Sequence, residues 1–326
     1  MWNYMHNMKK TATILIALAA SISLWATEGA LSGKFTVNAQ GKQIVFSQGN
    51  LQYQPSTDTW RFAESQLTTL GLVNTQISET TYTGWLDLFG WGTGTNPTNY
   101  SSDWQDYPSY NEWGNNAISN GGNTQNLWCT LTKSEWDYLF FKRTNASSLF
   151  GFGQIEDTKG LIILPDNWIN PADISFTPST SKGLVAHNNY YANTDGKNYT
   201  HNLLTSEQWT KMEANGAVFL PATGYRWDNE VYMEDSDLGY MGYYWSSTPN
   251  DNWQGYLLYF DAYELSPQNK NSRIHGQAVR LVTENTGAGI EGVQDVDTGI
   301  RKVIYNGKVY ILQADHTYTL TGSEIK

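Results

Sequence analysis

Residues 242–260, GYYWSSTPNDNWQGYLLYF, contain two short runs of aromatic and aliphatic residues on either side of a polar loop. Such runs, bounded by Pro, Asn, Asp and Gly, predict β-strands. Outward from this pair, AVFLP at 217–221 and GQAVRLVTE at 276–284 predict further strands before and after it. Within these strands we expect Tyr243, Trp245 and Arg280 to belong to the framework.

Two helices are predicted by capping boxes, in which a Thr side chain and a Glu or Gln three residues later bond each other's backbone N–H groups. Thr132 and Glu135 begin one helix in LTKSEWDYLFFKR, and Thr205 and Gln208 begin the other in LTSEQWTKMEANG. Asn and Gly after the last apolar residue of the second helix predict its end.

The region before the helices combines strands and irregular chain. GKFTVNA at 33–39 and KQIVFSQGNLQYQ at 42–54 predict two strands with a turn between them. From 83 to 126 the chain is rich in Gly, Asn, Ser and aromatic residues with little periodicity, which predicts long ordered loops. This order of strands, helices, loops and further strands predicts an α+β fold class. The tryptophans expected to anchor the loops are Trp85, Trp91, Trp104 and Trp113.

The first 26 residues have the organisation of a signal peptide. Lys9 and Lys10 precede the uncharged, mostly apolar run TATILIALAASISLWA, which is too short for a comfortable membrane span. We therefore expect residues 1–26 to be removed and the protein to act outside the cell or on its outer surface. The alternative is a buried core helix. No later apolar stretch is long enough to predict a transmembrane segment.

The C-terminal end differs in amino-acid composition from the rest of the chain. Residues 285–299 are Gly-rich and acidic and predict a linker between the main domain, 27–284, and a tail, 300–326. In the tail, VIY-NG-KVYIL predicts a β-hairpin with a type I′ turn. The tail is too small for a core of its own.

Composition excludes some classes of protein. Charged residues are 16% of the chain, below the roughly 25% of average soluble proteins. The net charge is −11, which disfavours binding to nucleic acid or to anionic lipid. Cys129 is the one cysteine, so the chain has no internal disulfide and no cysteine zinc cluster. Its apolar sequence neighbours predict a buried, inert thiol.

Six segments together resemble the Fibrobacter succinogenes major paralogous domain family of exported bacterial proteins. The resemblance covers roughly residues 33–284 and implies a C-type-lectin-like fold related to the formylglycine-generating-enzyme superfamily. Enzymes of that superfamily that oxidise their substrates use paired cysteines, and this chain has one. The segments are FSQGNLQYQPSTDTWRFAESQ (46–66), WLDLFGWGTG (85–94), LTKSEWDYLF (131–140), AVFLPATGYR (217–226), GYYWSSTPND (242–251) and GQAVRLV (276–282).

The tail carries a second resemblance. GKVYILQADHTYTLTG is similar to C-terminal modules that direct bacterial proteins through type IX secretion. This likeness implies that the secretion machinery is one partner of the tail. The alternative is a small hairpin that completes the fold.

No established catalytic motif appears in the sequence. The histidines outside the signal are scattered without metal-ligand spacing, and no nucleophile elbow or phosphate-binding loop is present. We therefore expect no enzymatic activity and no cofactor.

Two loops have the composition of a glycan-binding surface, because aromatic faces stack on sugar rings and neighbouring amides and carboxylates orient hydroxyls. Trp227 is followed by Asp228 and Asn229, and Trp253 is preceded by Asn250, Asp251 and Asn252. Both loops connect predicted strands, so we expect them to lie at one end of a sheet. The alternative is that both tryptophans are buried anchors.

A third loop, MEDSD, holds the carboxylates of Glu234, Asp235 and Asp237, which are ligands that Ca²⁺ prefers. This is a weak candidate calcium site, and the alternative is a solvated acidic loop. The sequence lacks the Glu-Pro-Asn or Gln-Pro-Asp tripeptide of the sugar-binding C-type lectins that the fold resemblance suggests.

Three function classes remain open from the sequence. The first is an exported, non-catalytic surface module that binds a glycan or a surface protein, as an adhesin does. The others are a structural component of a cell-surface assembly and an enzyme of unrecognised type.

Overall fold

The computed structural model describes residues 27–284 and four strand segments of the tail, at 300–305, 308–313, 316–319 and 324–325. The predicted signal peptide, the predicted linker at 285–299 and the Asn306-Gly307 turn lie outside the described residues. The chain divides into two compact units between Asn285 and Thr286.

The larger unit has mixed helix and strand, in agreement with the predicted α+β class, and strands outnumber helices. Its strands are β1 (Phe35–Thr36), β2 (Gln43–Phe46), β3 (Leu51–Gln54), β4 (Thr59–Phe62), β5 (Cys129–Thr130), β6 (Phe150–Ile155), β7 (Thr158–Ile163), β8 (Val185–Ala186), β9 (Tyr191–Ala192), β10 (Leu203–Leu204), β11 (Val218–Pro221), β12 (Tyr225–Trp227), β13 (Glu230–Tyr232), β14 (Glu234–Asp235), β15 (Gly239–Tyr240), β16 (Gly242–Pro249), β17 (Gln254–Phe260), β18 (Glu264–Ser272) and β19 (Leu281–Glu284).

Three sheets organise these strands. The orders are β1-β2-β19-β5, β10-β6-β7-β11 and β16-β17-β18-β9-β8, and the remaining strands form the two-stranded ribbons β3-β4, β12-β13 and β14-β15. All neighbours pair antiparallel except β10 and β6. Many short sheets joined by loops leave several strand ends available to carry surface loops.

Both predicted helices are present with complete capping boxes. Helix α1 is Lys133–Asp137 and continues as one π-helical turn at Tyr138–Lys142, and helix α2 is Ser206–Ala214. Gly216, with φ of +91°, ends the chain reversal after α2. Short 3₁₀ turns occur at Pro55–Thr57, Gly71–Ser78, Trp104–Asp106, Trp113–Asn115, Ala146–Ser148, Ser179–Lys182 and Asn198–Thr200.

Buried aromatic side chains supply much of the core, as expected for a chain without disulfides. The indole N–H of Trp91 donates to the Ser246 carbonyl at 2.9 Å, and that of Trp245 donates to the Phe89 carbonyl at 2.7 Å. These bonds fix the 89–91 segment against β16, the strand that leads into the loop containing Trp253.

Two predictions about core residues need correction. Trp91 and Trp113 are buried anchors, but Trp104 is 42% exposed because it begins a surface 3₁₀ turn capped by Asp103. Cys129 is half-buried rather than buried, although desolvation raises the pKa of its thiol to about 11. Of the three residues expected to belong to the framework, Trp245 and Arg280 are buried and Tyr243 is half-buried within β16.

The smaller unit is a four-stranded antiparallel sheet in the order β20-β21-β22-β23. Its strands are β20 (Ile300–Tyr305), β21 (Lys308–Gln313), β22 (His316–Thr319) and β23 (Glu324–Ile325). Tyr305 pairs with Lys308, so β20 and β21 form the predicted hairpin. The strand β23 was not predicted.

Candidate functional site

The first predicted binding loop is the tip of the β12-β13 ribbon. Trp227 pairs with Glu230, so Asp228 and Asn229 form a two-residue connection. Successive side chains of a strand alternate between faces, and accordingly Arg226 is buried while Trp227 is 50% exposed. Asp228 has φ of +52°, an unusual value for a residue other than glycine.

The second predicted loop joins β16 to β17 and is shaped by its own polar side chains. The Asp251 carboxylate accepts the backbone N–H groups of Trp253 at 2.9 Å and Gln254 at 2.8 Å. The Asn250 amide donates to the other Asp251 oxygen at 2.7 Å. Asn250 and Asp251, predicted to contact ligand, therefore serve the turn itself, which presents Trp253 48% exposed beside the exposed Asn252.

One short segment, residues 273–276, connects the two loops. Gly276 and Arg226 exchange both backbone hydrogen bonds, at 2.7 and 2.8 Å, and Arg273 donates its N–H to the Trp253 carbonyl at 2.9 Å. A side chain at Gly276 would lie 2.9 Å from the Arg226 Nε, so this approach requires glycine. The structure thus attaches both tryptophan loops to the same four residues.

Arg273 brings a third loop to this surface. Its guanidinium lies 4.3 Å from the Trp91 ring centre and donates to the Tyr107 carbonyl at 2.9 Å and to the Asp251 carbonyl. The Tyr107 hydroxyl in turn donates to the Ser101 carbonyl at 3.1 Å. Residues 96–102, which we call the asparagine–serine loop, are therefore held above Tyr107.

The asparagine–serine loop and Asp228 line an open surface cavity of about 500 Å³, which we call the asparagine–serine cavity. Its walls are amides, hydroxyls, one phenol and one carboxylate, and the aromatic member Tyr100 is 43% exposed. The lining residues are Asn96, Thr98, Asn99, Tyr100, Ser101, Ser102 and Asp228. Trp253 does not line this cavity, so the two tryptophan loops share a supporting segment but not one pocket.

A buried arginine lies behind the cavity. Arg226 donates from Nη1 to the Asp228 carbonyl at 2.8 Å, but its Nε and Nη2 have no hydrogen-bond partner among the described residues. Burial, and then the Arg226 charge, lower the pKa of the neighbouring His275 to about 4. His275 is therefore neutral at pH 7, with its ring 6.0 Å from that of Trp227.

The candidate calcium loop is a β-hairpin that does not gather its carboxylates. Asp235 Oδ1 accepts the N–H groups of Asp237 at 2.8 Å and Leu238 at 3.0 Å, so this oxygen closes the turn between β14 and β15. Within residues 27–284 no group of three or more His, Cys, Asp or Glu side chains is placed to hold a metal ion. The calcium prediction for Glu234, Asp235 and Asp237 therefore has no support from the geometry.

Ser179 and His201 form a serine–histidine pair that does not have the surroundings of a catalytic nucleophile and base. Ser179 Oγ lies 2.8 Å from His201 Nδ1, but it also accepts the Phe152 N–H and is fully buried. Burial also lowers the pKa of His201. A hydroxyl without access to solvent and already bonded to backbone serves the start of a 3₁₀ turn rather than attack on a substrate.

The sequence predicted Trp227, Asp228 and Asn229 as part of a surface but missed the asparagine–serine loop opposite them. For residues 83–126 the sequence predicts only long ordered loops anchored by tryptophans. The signal that identifies it is composition, since NPTNYSS places two amides, three hydroxyls and an aromatic residue within seven positions. The cavity also depends on Arg273 and Tyr107, whose contacts across more than 160 residues leave no local pattern.

The fold and site define an α+β protein with an aromatic, amide-rich surface built from three loops. A family model described as Domain of unknown function (DUF8237) matches residues 181–282, which include both tryptophan loops and segment 273–276. None of the curated proteins matches the chain, and no solved structure matches it. Among the described residues, no helix has the length and apolar character needed to cross a membrane.

Proposed function

We propose that this chain is an exported, non-catalytic binding module of C-type-lectin-like fold that recognises glycans at the bacterial cell surface. The observation that carries the proposal is the exposure of Trp227 and Trp253, each about half open to solvent, on loops attached to one segment. Within residues 27–284 more than half of the Phe, Tyr and Trp side chains are buried, so two exposed indoles on one supporting element favour a contact surface.

The chemistry of these loops suits carbohydrate. An indole face offers a large rigid apolar area with little conformational entropy to lose on binding. Asn229 and Asn252 make no side-chain hydrogen bond within residues 27–284, so their amides are open to ligand hydroxyls. The acidic balance of the chain argues against nucleic acid as the partner.

The test is alanine substitution at both indoles in a glycan-binding assay. Trp227→Ala or Trp253→Ala should weaken binding of the best array ligand by about 30-fold, equivalent to about 2 kcal/mol. The thermal midpoint should stay close to that of the unmodified protein, because exposed side chains contribute little to the core.

Tyr263 is the matched control, since it is exposed but follows the far end of β17 from Trp253. Seven residues of strand place it roughly 20 Å away. Tyr263→Ala should leave glycan affinity unchanged. Unfolding of either tryptophan variant, or an equal loss on Tyr263→Ala, would contradict the proposed surface.

Export and delivery form the second part of the proposal. Residues 1–26 act as a cleaved signal peptide, and residues 300–326 are recognised by a type IX secretion machinery. N-terminal sequencing of secreted protein should begin near Thr27. A chain truncated after Asn285 should retain its melting temperature but show reduced surface delivery, whereas loss of cooperative unfolding would show that the tail belongs to the core.

A further inference from the structure

We propose that the asparagine–serine cavity receives one ring of an uncharged sugar, with the Asp228 carboxylate as its hydrogen-bond acceptor and Arg226 as the residue that positions Asp228. This inference rests on the proposed glycan function and assigns it a specific pocket. The pocket also predicts the charge of the ligand, which the exposed tryptophans alone do not, because it excludes acidic glycans.

The cavity has the size and lining that a sugar ring requires. Its volume of about 500 Å³ lies within the range of small-molecule sites. Amides and hydroxyls both donate and accept, which matches the alternating requirements of ring hydroxyls. Tyr100 is half-exposed at the wall and supplies an aromatic face for stacking.

Asp228 is the one charged residue of the lining, and its carboxylate is free to bind. Its side chain is exposed and makes no hydrogen bond to any other residue in 27–284. Glycine adopts a φ of +52° without strain, whereas aspartate does so at a conformational cost. The carboxylate therefore occupies this position although the local backbone would favour glycine.

Arg226 fixes where that carboxylate lies. Its buried guanidinium donates to the Asp228 carbonyl, two residues along the same ribbon tip. No acidic side chain within the described residues forms an ion pair with Arg226, and its Nε and Nη2 are unpartnered. The other buried arginines of residues 27–284, Arg143, Arg273 and Arg280, donate from all three nitrogens. Arg226 differs because its guanidinium bonds only to the loop that borders the cavity.

Charge determines the class of sugar. The lining holds one carboxylate and no Lys, Arg or His side chain. Asp103 and Asp106 are exposed in the following turn and both bond to Ser101 of the lining, which adds negative charge beside the cavity. A sialylated, uronic or sulfated glycan would bring its anion towards these carboxylates with no cationic side chain in the lining to pair with, because the Arg226 guanidinium is buried. Neutral saccharides avoid this repulsion.

The experiment begins with the full chain on an array of neutral oligosaccharides of glucose, mannose, galactose and xylose beside sialylated and sulfated ones. Binding should be confined to neutral probes. Calorimetry with the strongest neutral probe then compares Asp228→Gly with Asp173→Gly, which removes an exposed aspartate at φ of +67° outside the cavity. Asp228→Gly should lower affinity at least 10-fold, and Asp173→Gly should leave it unchanged.

A second pair of variants compares two cavities. A separate cavity of about 540 Å³ lies along loop 187–190, where the Tyr190 ring stacks on His187. Tyr100→Ala should reduce affinity for the neutral probe at least 10-fold, while Tyr190→Ala should not. The reverse result would place the sugar in the other cavity and overturn the inference.

The positioning role of Arg226 is tested by a double-mutant cycle. Arg226→Met should lower affinity in the unmodified protein, but not further in an Asp228→Gly background, because it acts through Asp228. Additive losses would overturn that role. No binding to any probe would refute the glycan function itself. Two other outcomes would refute only this pocket. One is a preference for acidic probes, and the other is a loss of affinity in Trp253→Ala but not in Asp228→Gly.

Discussion

Arg280 and Arg226 are both fully buried arginines, yet their surroundings differ. Arg280 donates from Nε to the Asn50 amide oxygen at 3.1 Å, from Nη1 to the Ser47 carbonyl at 3.0 Å and from Nη2 to the Phe219 carbonyl at 2.7 Å. Arg226 makes one such bond, to the Asp228 carbonyl, and leaves two nitrogens without partners among the described residues.

The difference separates the framework of this protein from its candidate site. Arg280 joins chain segments that lie up to 233 residues apart in sequence, because its three bonds connect the segment just before β19 to the chain between β2 and β3 and to β11. The Arg226 guanidinium bonds only within its own ribbon tip, next to the asparagine–serine cavity. Buried polar groups that are not fully satisfied are uncommon and concentrate where function overrides packing.

Among substitutions that test this difference, the largest expected change in unfolding free energy is at Arg280. Arg280→Ala leaves three buried acceptors without donors, each worth about 1–3 kcal/mol, and creates a cavity. Unfolding in urea should show a loss of at least about 3 kcal/mol. Arg280→Lys, which restores one positive donor, should recover part of this loss. A change below 1 kcal/mol in the alanine variant would show that Arg280 does not support the framework.

The next effect concerns His275, which lies against Arg226, Tyr225, Trp227 and Asn271. Its pKa is about 4 in the folded protein, below the unfolded value of about 6.5. The neutral ring therefore favours folding at pH 7, and this contribution is lost as the pH falls from 6.5 through 4. Unfolding free energy should fall over that interval by on the order of 2 kcal/mol more than in His275→Gln.

The comparison between His275 and His275→Gln isolates this histidine from other titrating groups. Asp87 acts in the opposite direction, because burial raises the pKa of its carboxyl to about 6. Parallel stability profiles for the two proteins between pH 7 and 4 would show that the charge of Arg226 and the burial of His275 do not resist protonation.

The smallest expected effect on stability is at Arg226 itself. Arg226→Met replaces a buried, incompletely bonded charge with an apolar side chain of similar length, a change that is often neutral or stabilising. Its unfolding free energy should lie within about 1 kcal/mol of the unmodified protein, in contrast to Arg280→Ala. A loss comparable to that of Arg280→Ala would make Arg226 a framework residue and remove the basis of the contrast.

Local signals in the sequence predicted the local structure. The two capping boxes fixed the start of α1 and α2, because cap and partner lie within four residues of each other. Strand runs such as 242–248 and 255–260 were identified by residues that a half-buried sheet favours. The hairpin of β6 and β7 was missed, since its Gly-rich β6, FGFGQI, has no clear alternation.

The sequence predicted the site only in part, because local patterns do not reveal contacts between distant segments. Trp227 and Trp253 stood out by composition, and their exposure is what a contact surface requires. The support that joins them, Arg273 and Gly276, forms through contacts between segments distant in sequence. The asparagine–serine cavity likewise needs Tyr107 beneath its loop. Such contacts depend on the fold and leave no pattern among neighbouring residues, so the sequence does not predict them.

The single thiol has a practical consequence for chemical labelling. Cys129 is half-buried and its pKa is about 11, so at neutral pH it is almost entirely protonated and reacts slowly with maleimides. A cysteine placed at exposed Asn229 would be the fast-reacting thiol of the chain. The protein therefore accepts one fluorophore beside the asparagine–serine cavity without removal of its native cysteine, and its emission would report directly on what enters there.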